Sequence, residues 1–242
     1  MAETRPSIAR YLRERREAAG LTQAAMAVAT GFPQRVIEDF EQGVVAPTSA
    51  TLGRLFDALG VPVFFRDHIV SLTQASQFPE TFGPVPSVPL PTDLRTLRSL
   101  AQPAWFQIVP TFDLVAANSA YLRLFPGLEP GDNILEWTML NPAAKQAVHE
   151  WHKEAHLMVY ALRMMAPGLV PPERLDKIIS ACRSAPEWEQ LWLTDVAPAD
   201  IARQWIQVRD PARRELRRMT LNVFMSEFPR RPWWMYTLVP ID

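Results

Sequence analysis

Cysteine is almost missing from this sequence. Cys182 is the only one, so no disulfide can close within the chain and a reducing compartment is expected. Glycine is also sparse, with nine in 242 residues, and none falls in a G-x-G-x-x-G pattern that would cradle a dinucleotide phosphate. No G-x-S-x-G elbow presents a nucleophilic serine. Long apolar runs are missing too. The most apolar stretch, Leu157–Leu162, stops at Arg163, far short of the ~18 residues that cross a bilayer. The opening Met1-Ala2-Glu3-Thr4-Arg5-Pro6 carries no apolar signal segment. A net charge of −1 gives no bulk attraction for a polyanion. With 48% hydrophobic and 21% charged residues, the chain is globular rather than disordered. These absences point to a soluble, cytoplasmic protein that is not an enzyme, with no cofactor and no membrane contact.

What is present divides into two parts. Residues 7–73 read as short helices in quick succession. Phe78–Pro91 then carries Pro79, Pro84, Pro86, Pro89 and Pro91, a composition that favours extended, semi-rigid backbone. The expected organisation is an all-α domain over 1–75, a Pro-rich linker over 76–91 and a second domain over 92–242. In the second domain Thr92 precedes a helical stripe of Leu94, Leu97 and Leu100. Trp105–Val109 and Asp113–Ala117 read as two strands, and helical patterns follow from about Tyr121 to Trp192. Gln204–Arg209, Leu216–Ser226 and Trp233–Val239 read as closing strands. Met219, Leu221, Val223 and Met225 alternate with Arg218, Thr220, Asn222 and Phe224, the period of a sheet with one buried face. Two strands, then helices, then three strands describe an α+β domain with an antiparallel sheet.

The sharpest local pattern lies near the N-terminus. Gly20 closes a helix with Ile8, Leu12 and Ala19 on one stripe. A second helix over Gln23–Ala29 ends at Gly31, which tolerates the positive φ of a tight helix–helix turn. A third begins at Pro33 and turns Val36, Ile37 and Phe40 inward, leaving Gln34, Arg35, Glu38 and Asp39 outward. Two helices joined this way can lay the second in the major groove of DNA. Gln pairs bidentately with adenine and Arg with guanine, so Gln34 and Arg35 suit base reading. Over residues 1–75 eight Arg and no Lys face eight Asp plus Glu, a net of zero. Arg10, Arg13, Arg15 and Arg16 nevertheless cluster on the first helix. Arg16, four residues after Leu12 on the apolar stripe, demands a buried partner.

From about Ser7 to Val61 the sequence resembles the helix-turn-helix of lambdoid phage repressors and xenobiotic-response-element-type regulators. The resemblance rests on Leu21-Thr22-Gln23, Gly31, Glu41-Gln42-Gly43, Pro47-Thr48 and Leu59-Gly60-Val61. It implies a five-helix domain binding a double-stranded operator, with Gln23 on a phosphate, Thr22 nearby, and Gln34, Arg35, Glu38 and Asp39 along the reading helix. It also implies an ion pair between Arg16 and Glu41. Two departures stand out: Pro33 replaces a common N-cap Ser, and Val44 and Val45 replace basic residues.

All eight tryptophans lie beyond residue 100, and six of the nine methionines are Met139, Met158, Met164, Met165, Met219 and Met225. Phe112-Asp113-Leu114-Val115-Ala116-Ala117-Asn118 resembles a segment of the MmyB-like ligand-binding regulators. Asn133-Ile134-Leu135-Glu136-Trp137 with Met139–Pro142, Ser184–Trp192 with Asp195-Val196, Leu221-Asn222-Val223 and Tyr236-Thr237-Leu238 extend the likeness across about 92–240. Ala117 stands where a Trp is usual. The resemblance implies a PAS-like domain that binds a small apolar molecule, fatty acids among them, and a homodimer. A pocket between sheet and helices would draw on Trp137, Met139, Trp151, Met158, Leu221, Val223 and Tyr236.

Two other readings stay open. His149, His152 and His156 share a helix face and suit a metal, although the His149–His152 spacing is not H-E-x-x-H and no metal is expected. Cys182 is a lone thiol that would suit redox sensing only if exposed. A protein-binding module that never touches DNA is the remaining alternative.

Overall fold

The computed structural model describes residues 7–77, 86–210, 215–226 and 230–241. The chain forms two units, one of residues 1–83 with 161–175 and the other of residues 84–160 with 176–242. Of the expected linker, residues 78–85 lie outside the described residues.

In the first unit, polar side chains cap the start of several helices, and glycines with positive φ follow helix ends. Helix α1 (Ile8–Ala18) begins where Ser7 Oγ accepts from the Arg10 amide. Helix α2 (Gln23–Thr30) is capped by Thr22, whose hydroxyl accepts from the Ala25 amide at 3.1 Å. Gly31, at φ 69°, turns the chain into α3 (Gln34–Gln42), with Pro33 as the cap residue. Helices α4 (Ser49–Ala58) and α5 (Val63–Gln77) follow. The second helix thus runs one residue beyond the expected Ala29, and the third starts one after Pro33. Tyr11, Leu12, Met26, Ile37, Leu55, Phe56 and Ile69 are buried between these helices, with Tyr11 packed edge-on against Phe56 at 6.0 Å. Burial of side chains this size contributes about 1.5–3 kcal/mol each.

The second unit carries a five-stranded sheet in the order β2-β1-β5-β4-β3, with every neighbouring pair antiparallel. The strands are β1 (Ala104–Ile108), β2 (Asp113–Ala117), β3 (Trp205–Arg209), β4 (Leu216–Phe224) and β5 (Trp234–Pro240). Each lies within two residues of its expected position. Helix α6 (Pro91–Ser99) covers one face, where Leu97 joins Ala104, Phe106, Ala116 and Trp233 in a buried cluster. The helices between β2 and β3 are α7 (Ser119–Leu124), α8 (Ile134–Leu140), α9 (Pro142–Ala147), α10 (Trp151–Met165), α11 (Pro172–Cys182), α12 (Trp188–Leu193) and α13 (Pro198–Ile201).

Side-chain amides tie these pieces together. Asn118 Oδ1 accepts from the amides of Ala104 and Tyr121, while its Nδ2 donates to the carbonyls of Leu100 and Gln102 at 3.0 and 2.7 Å. One side chain therefore closes the end of α6, opens β1 and caps α7. Asn133 plays the matching role at α8, accepting from the Glu136 amide and donating to Thr111 O and Asp113 Oδ1. That anchoring holds the β1–β2 turn, in which Phe112 takes φ 64°, a conformation costly for a bulky side chain.

Near the start of α10, Arg203 reaches Glu154 Oε1 at 2.6 Å and Glu150 Oε2 at 3.3 Å. Burial raises the Glu154 carboxyl to about 6 against the opposing pull of Arg203. A carboxyl raised in the folded state holds a proton that the unfolded chain has released, so its contribution is full below about pH 4.5 and is lost as pH rises through about 6. Stability should therefore fall across pH 4.5–6 by up to ~2 kcal/mol from this group. Urea titrations at both pH values check this, and Glu154→Gln should flatten the dependence.

Candidate DNA interface and sensor cavity

Helix α3 is held from behind and open in front. Arg16 Nε donates to Glu41 Oε1 at 2.6 Å and Nη2 to Oε2 at 2.9 Å, with both residues buried. Arg16 Nη1 also donates to the Leu21 carbonyl at 2.7 Å, and Gln23 Nε2 to Glu41 Oε2 at 3.0 Å. The hydrogen bond to Glu41 is the largest cause that keeps the Arg16 guanidinium more firmly protonated than an ordinary arginine. This cluster joins α1, the turn after it, α2 and the end of α3. It also engages the Gln23 amide, the group given to a phosphate by the resemblance.

On the outward side Gln34 and Arg35 are exposed, and Glu38 and Asp39 are half-buried. Gln34 Nε2 donates to Glu38 Oε1 at 3.0 Å, so an acidic residue orients the Gln34 amide. Thr22 caps α2 with its hydroxyl. Val28, Val44 and Val45 leave apolar surface at 86%, 68% and 47% exposure, giving the region little phosphate-binding charge. Sequence reasoning missed Arg54. Its guanidinium lies 4.5 Å from the Phe32 ring centroid and donates to the Thr30 carbonyl, bracing the α2–α3 turn. Phe32 in turn packs edge-on against Phe40 at 6.2 Å. No periodicity signals such a brace, because Arg54 sits at an exposed helix position.

The expected pocket residues fall in two groups. Leu221, Val223 and Tyr236 lie on the sheet, with Val223 directly opposite Tyr236 and 39% exposed. Tyr236 also stacks on Trp105 at 5.2 Å, and Trp105 packs at a tilt of 31° against Tyr121 at 4.5 Å. Burial keeps both phenols protonated well above the ordinary tyrosine range. Trp137, Met139, Trp151 and Met158 instead surround Thr138 and its neighbours. The Trp151 indole donates to the Thr138 carbonyl at 2.7 Å, and the Met158 sulfur lies 3.7 Å from the Thr138 hydroxyl. Trp137 donates to the Pro126 carbonyl and lines a groove of about 410 Å³ with Asn133, Glu136 and Leu140, while Met139 is buried.

A larger cavity of about 690 Å³ is lined by Pro103, Ala120, Leu124, Met219 and Pro240, with Arg123, Arg217 and Asp210, and Arg217 Nη1 lies 3.6 Å from Asp210 Oδ2. Met219 lies two residues from Leu221 and opposite Pro240, so this cavity opens on the same sheet face as Leu221, Val223 and Tyr236. Its charged lining carries no signal in the sequence, since isolated charged residues in a helix and at strand positions form no motif.

Among the described residues no group of three His, Cys, Asp or Glu is arranged to hold a metal ion. His156 Nε2 is instead engaged with Thr194. Cys182 is fully buried and its thiol is pushed up to about 12 by burial, an environment that suppresses thiolate chemistry. Among the described residues no helix is long and apolar enough to cross a membrane.

The buried Arg16–Glu41 pair generates a sharp expectation. Glu41→Ala leaves the buried guanidinium with only the more distant, exposed Glu17 carboxylate at 3.4 Å, and should cost about 3 kcal/mol in a denaturant titration of the full chain, with Glu41→Gln costing less.

Comparison with known proteins completes the picture. Residues 7–68 match the helix-turn-helix domain family, and residues 91–242 match the MmyB-like transcription regulator ligand binding domain. No curated protein matches the chain. The second match spans more than half of the sequence. The chain therefore belongs to the MmyB-like transcription regulators, carrying a helix-turn-helix domain ahead of their ligand-binding domain.

Proposed function

We propose that this regulator is a cytoplasmic homodimer, without enzymatic activity, that reads a two-fold symmetric operator and responds to a small apolar, fatty-acid-like molecule. The domain limits follow the sequence: 1–75 for DNA binding, 76–91 as linker, and 92–242 for sensing and dimerisation. The observation that carries the DNA reading is α3 itself. Its inner side is pinned through Glu41 to Arg16, and its outer side offers Gln34 and Arg35. Two such helices in a dimer address major grooves about one helical turn, ~34 Å, apart.

The cavity supports the sensor reading. Its 690 Å³ is within the range of about 300–1,000 Å³ typical of small-molecule sites. Apolar walls of Pro103, Leu124 and Met219 suit a hydrocarbon body, and Arg123, with Arg217 beside its partner Asp210, suits a carboxylate at one end. Leu221, Val223 and Tyr236 extend that face, with Trp137, Met139, Trp151 and Met158 assigned to the helical side of the sensor.

The test of the heads uses a duplex that the wild-type chain selects from a random pool. Gln34→Ala and Arg35→Ala should each lose ~1–3 kcal/mol of discrimination between matched and mismatched duplexes. Unchanged affinity and base preference in both variants would sink the assignment.

A further inference from the structure

The DNA-binding unit is not built from the N-terminal residues alone. The last turn of α10 and the chain after it, residues 161–175, belong to the same unit as α1–α5. These residues also fall inside the match to the ligand-binding domain. Leu162, Met164, Met165, Ala166, Leu169 and Val170 are all buried there.

The segment is fastened to α1 at several points. The Tyr11 hydroxyl donates to the Met164 carbonyl at 2.9 Å, and both groups are buried. The Gly168 amide donates to Glu14 Oε2 at 2.6 Å, while Glu14 Oε1 accepts from Arg10 Nε at 2.7 Å. At Gly168 the backbones meet directly. An added Cβ there would stand 2.6 Å from the N and Cα of Tyr11, and Gly168 itself has φ 68°. Only glycine satisfies both the conformation and the approach. All three attachments fall on residues 10–14 of α1, immediately before Arg16, whose guanidinium holds α3 through Glu41.

We propose that residues 161–175 are the output element of the regulator, a clamp contributed by the sensor's chain that sets α1 and, through Arg16–Glu41, the reading helix α3. Residues 161–165 are the last part of α10, which begins at Trp151, so the clamp is continuous in sequence with the helix that precedes it. A ligand acts on DNA affinity through this clamp by binding one arrangement of α10 better than another. The inference rests on the DNA-binding reading given above.

The test compares full-length wild type with Tyr11→Phe and Gly168→Ala, using hydrogen exchange together with affinity for the wild-type-selected duplex. Tyr11→Phe removes one donor without changing shape and serves if Gly168→Ala does not fold. Loss of such a bond should speed exchange by about three- to tenfold in residues 8–18 and 161–170 together, leaving β1–β5 unchanged. Duplex affinity should weaken by a similar factor. Loosening of 161–170 with α1 still at the wild-type rate would overturn the clamp. Loosening of both with unchanged duplex affinity would overturn its role as output. A wild-type chain that selects no duplex would count against DNA binding instead, and exchange alone would then decide the clamp.

Discussion

The DNA-binding unit depends on one buried charge pair. Taking Arg16 and Glu41 out of water carries a large desolvation cost, which is offset only when every donor and acceptor finds a partner. Here the guanidinium meets both carboxylate oxygens and the Leu21 carbonyl, and the carboxylate takes a further hydrogen bond from Gln23. The requirement leaves little freedom: α1, the turn after it, α2 and the C-terminal end of α3 must all arrive in one arrangement. A pair of this kind adds less to stability than a well-packed apolar substitute of similar volume, but it specifies geometry. That geometry is what a helix needs if Gln34 and Arg35 are to reach base edges in register.

The sensor unit uses neutral groups for the same purpose. Asn118 and Asn133 each cap a helix with the side-chain oxygen and bind backbone carbonyls with the nitrogen. The sheet is thereby fixed to α6 on one face and to α7 and α8 beside it. With the framework held at its polar joints, the inner sheet face is left to aromatic and aliphatic side chains and to a cavity edged by Arg123 and Arg217. A rigid frame around an adaptable apolar space suits recognition of a ligand that has few polar groups.

Much of this was legible in the sequence, for physical reasons that differ between the parts. Strand β4 was legible from the period of two in Met219, Leu221 and Val223, but the expected buried face holds only at Met219, since Val223 is 39% exposed. The helix–turn–helix was legible because Thr22, Gly31 and Gly43 punctuate it with cap chemistry. An arginine at position 16 of an apolar stripe required a buried acid, and Glu41 occupies that place. Other features left no local trace. Arg54 braces a turn from another helix, Arg123 and Arg217 line one cavity from a helix and a strand far apart in the chain, and Gly168 matters because of the Tyr11 backbone beside it and the Glu14 carboxylate, 154 residues away. The expected pocket set shows the same limit. Burial of Trp137 and Trp151 was readable, whereas the division of the set between sheet and helices depends on tertiary packing.

One chain couples a small-molecule site to DNA in this reading. Its most direct test is the affinity of the purified protein for a duplex it selects, measured with the apolar molecules that co-purify and again after their removal on a hydrophobic resin. The account predicts a change of about fivefold or more between the two preparations, the lower end of ordinary allosteric coupling. Equal affinities, with a co-purifying molecule demonstrably bound in one preparation and absent from the other, would contradict it.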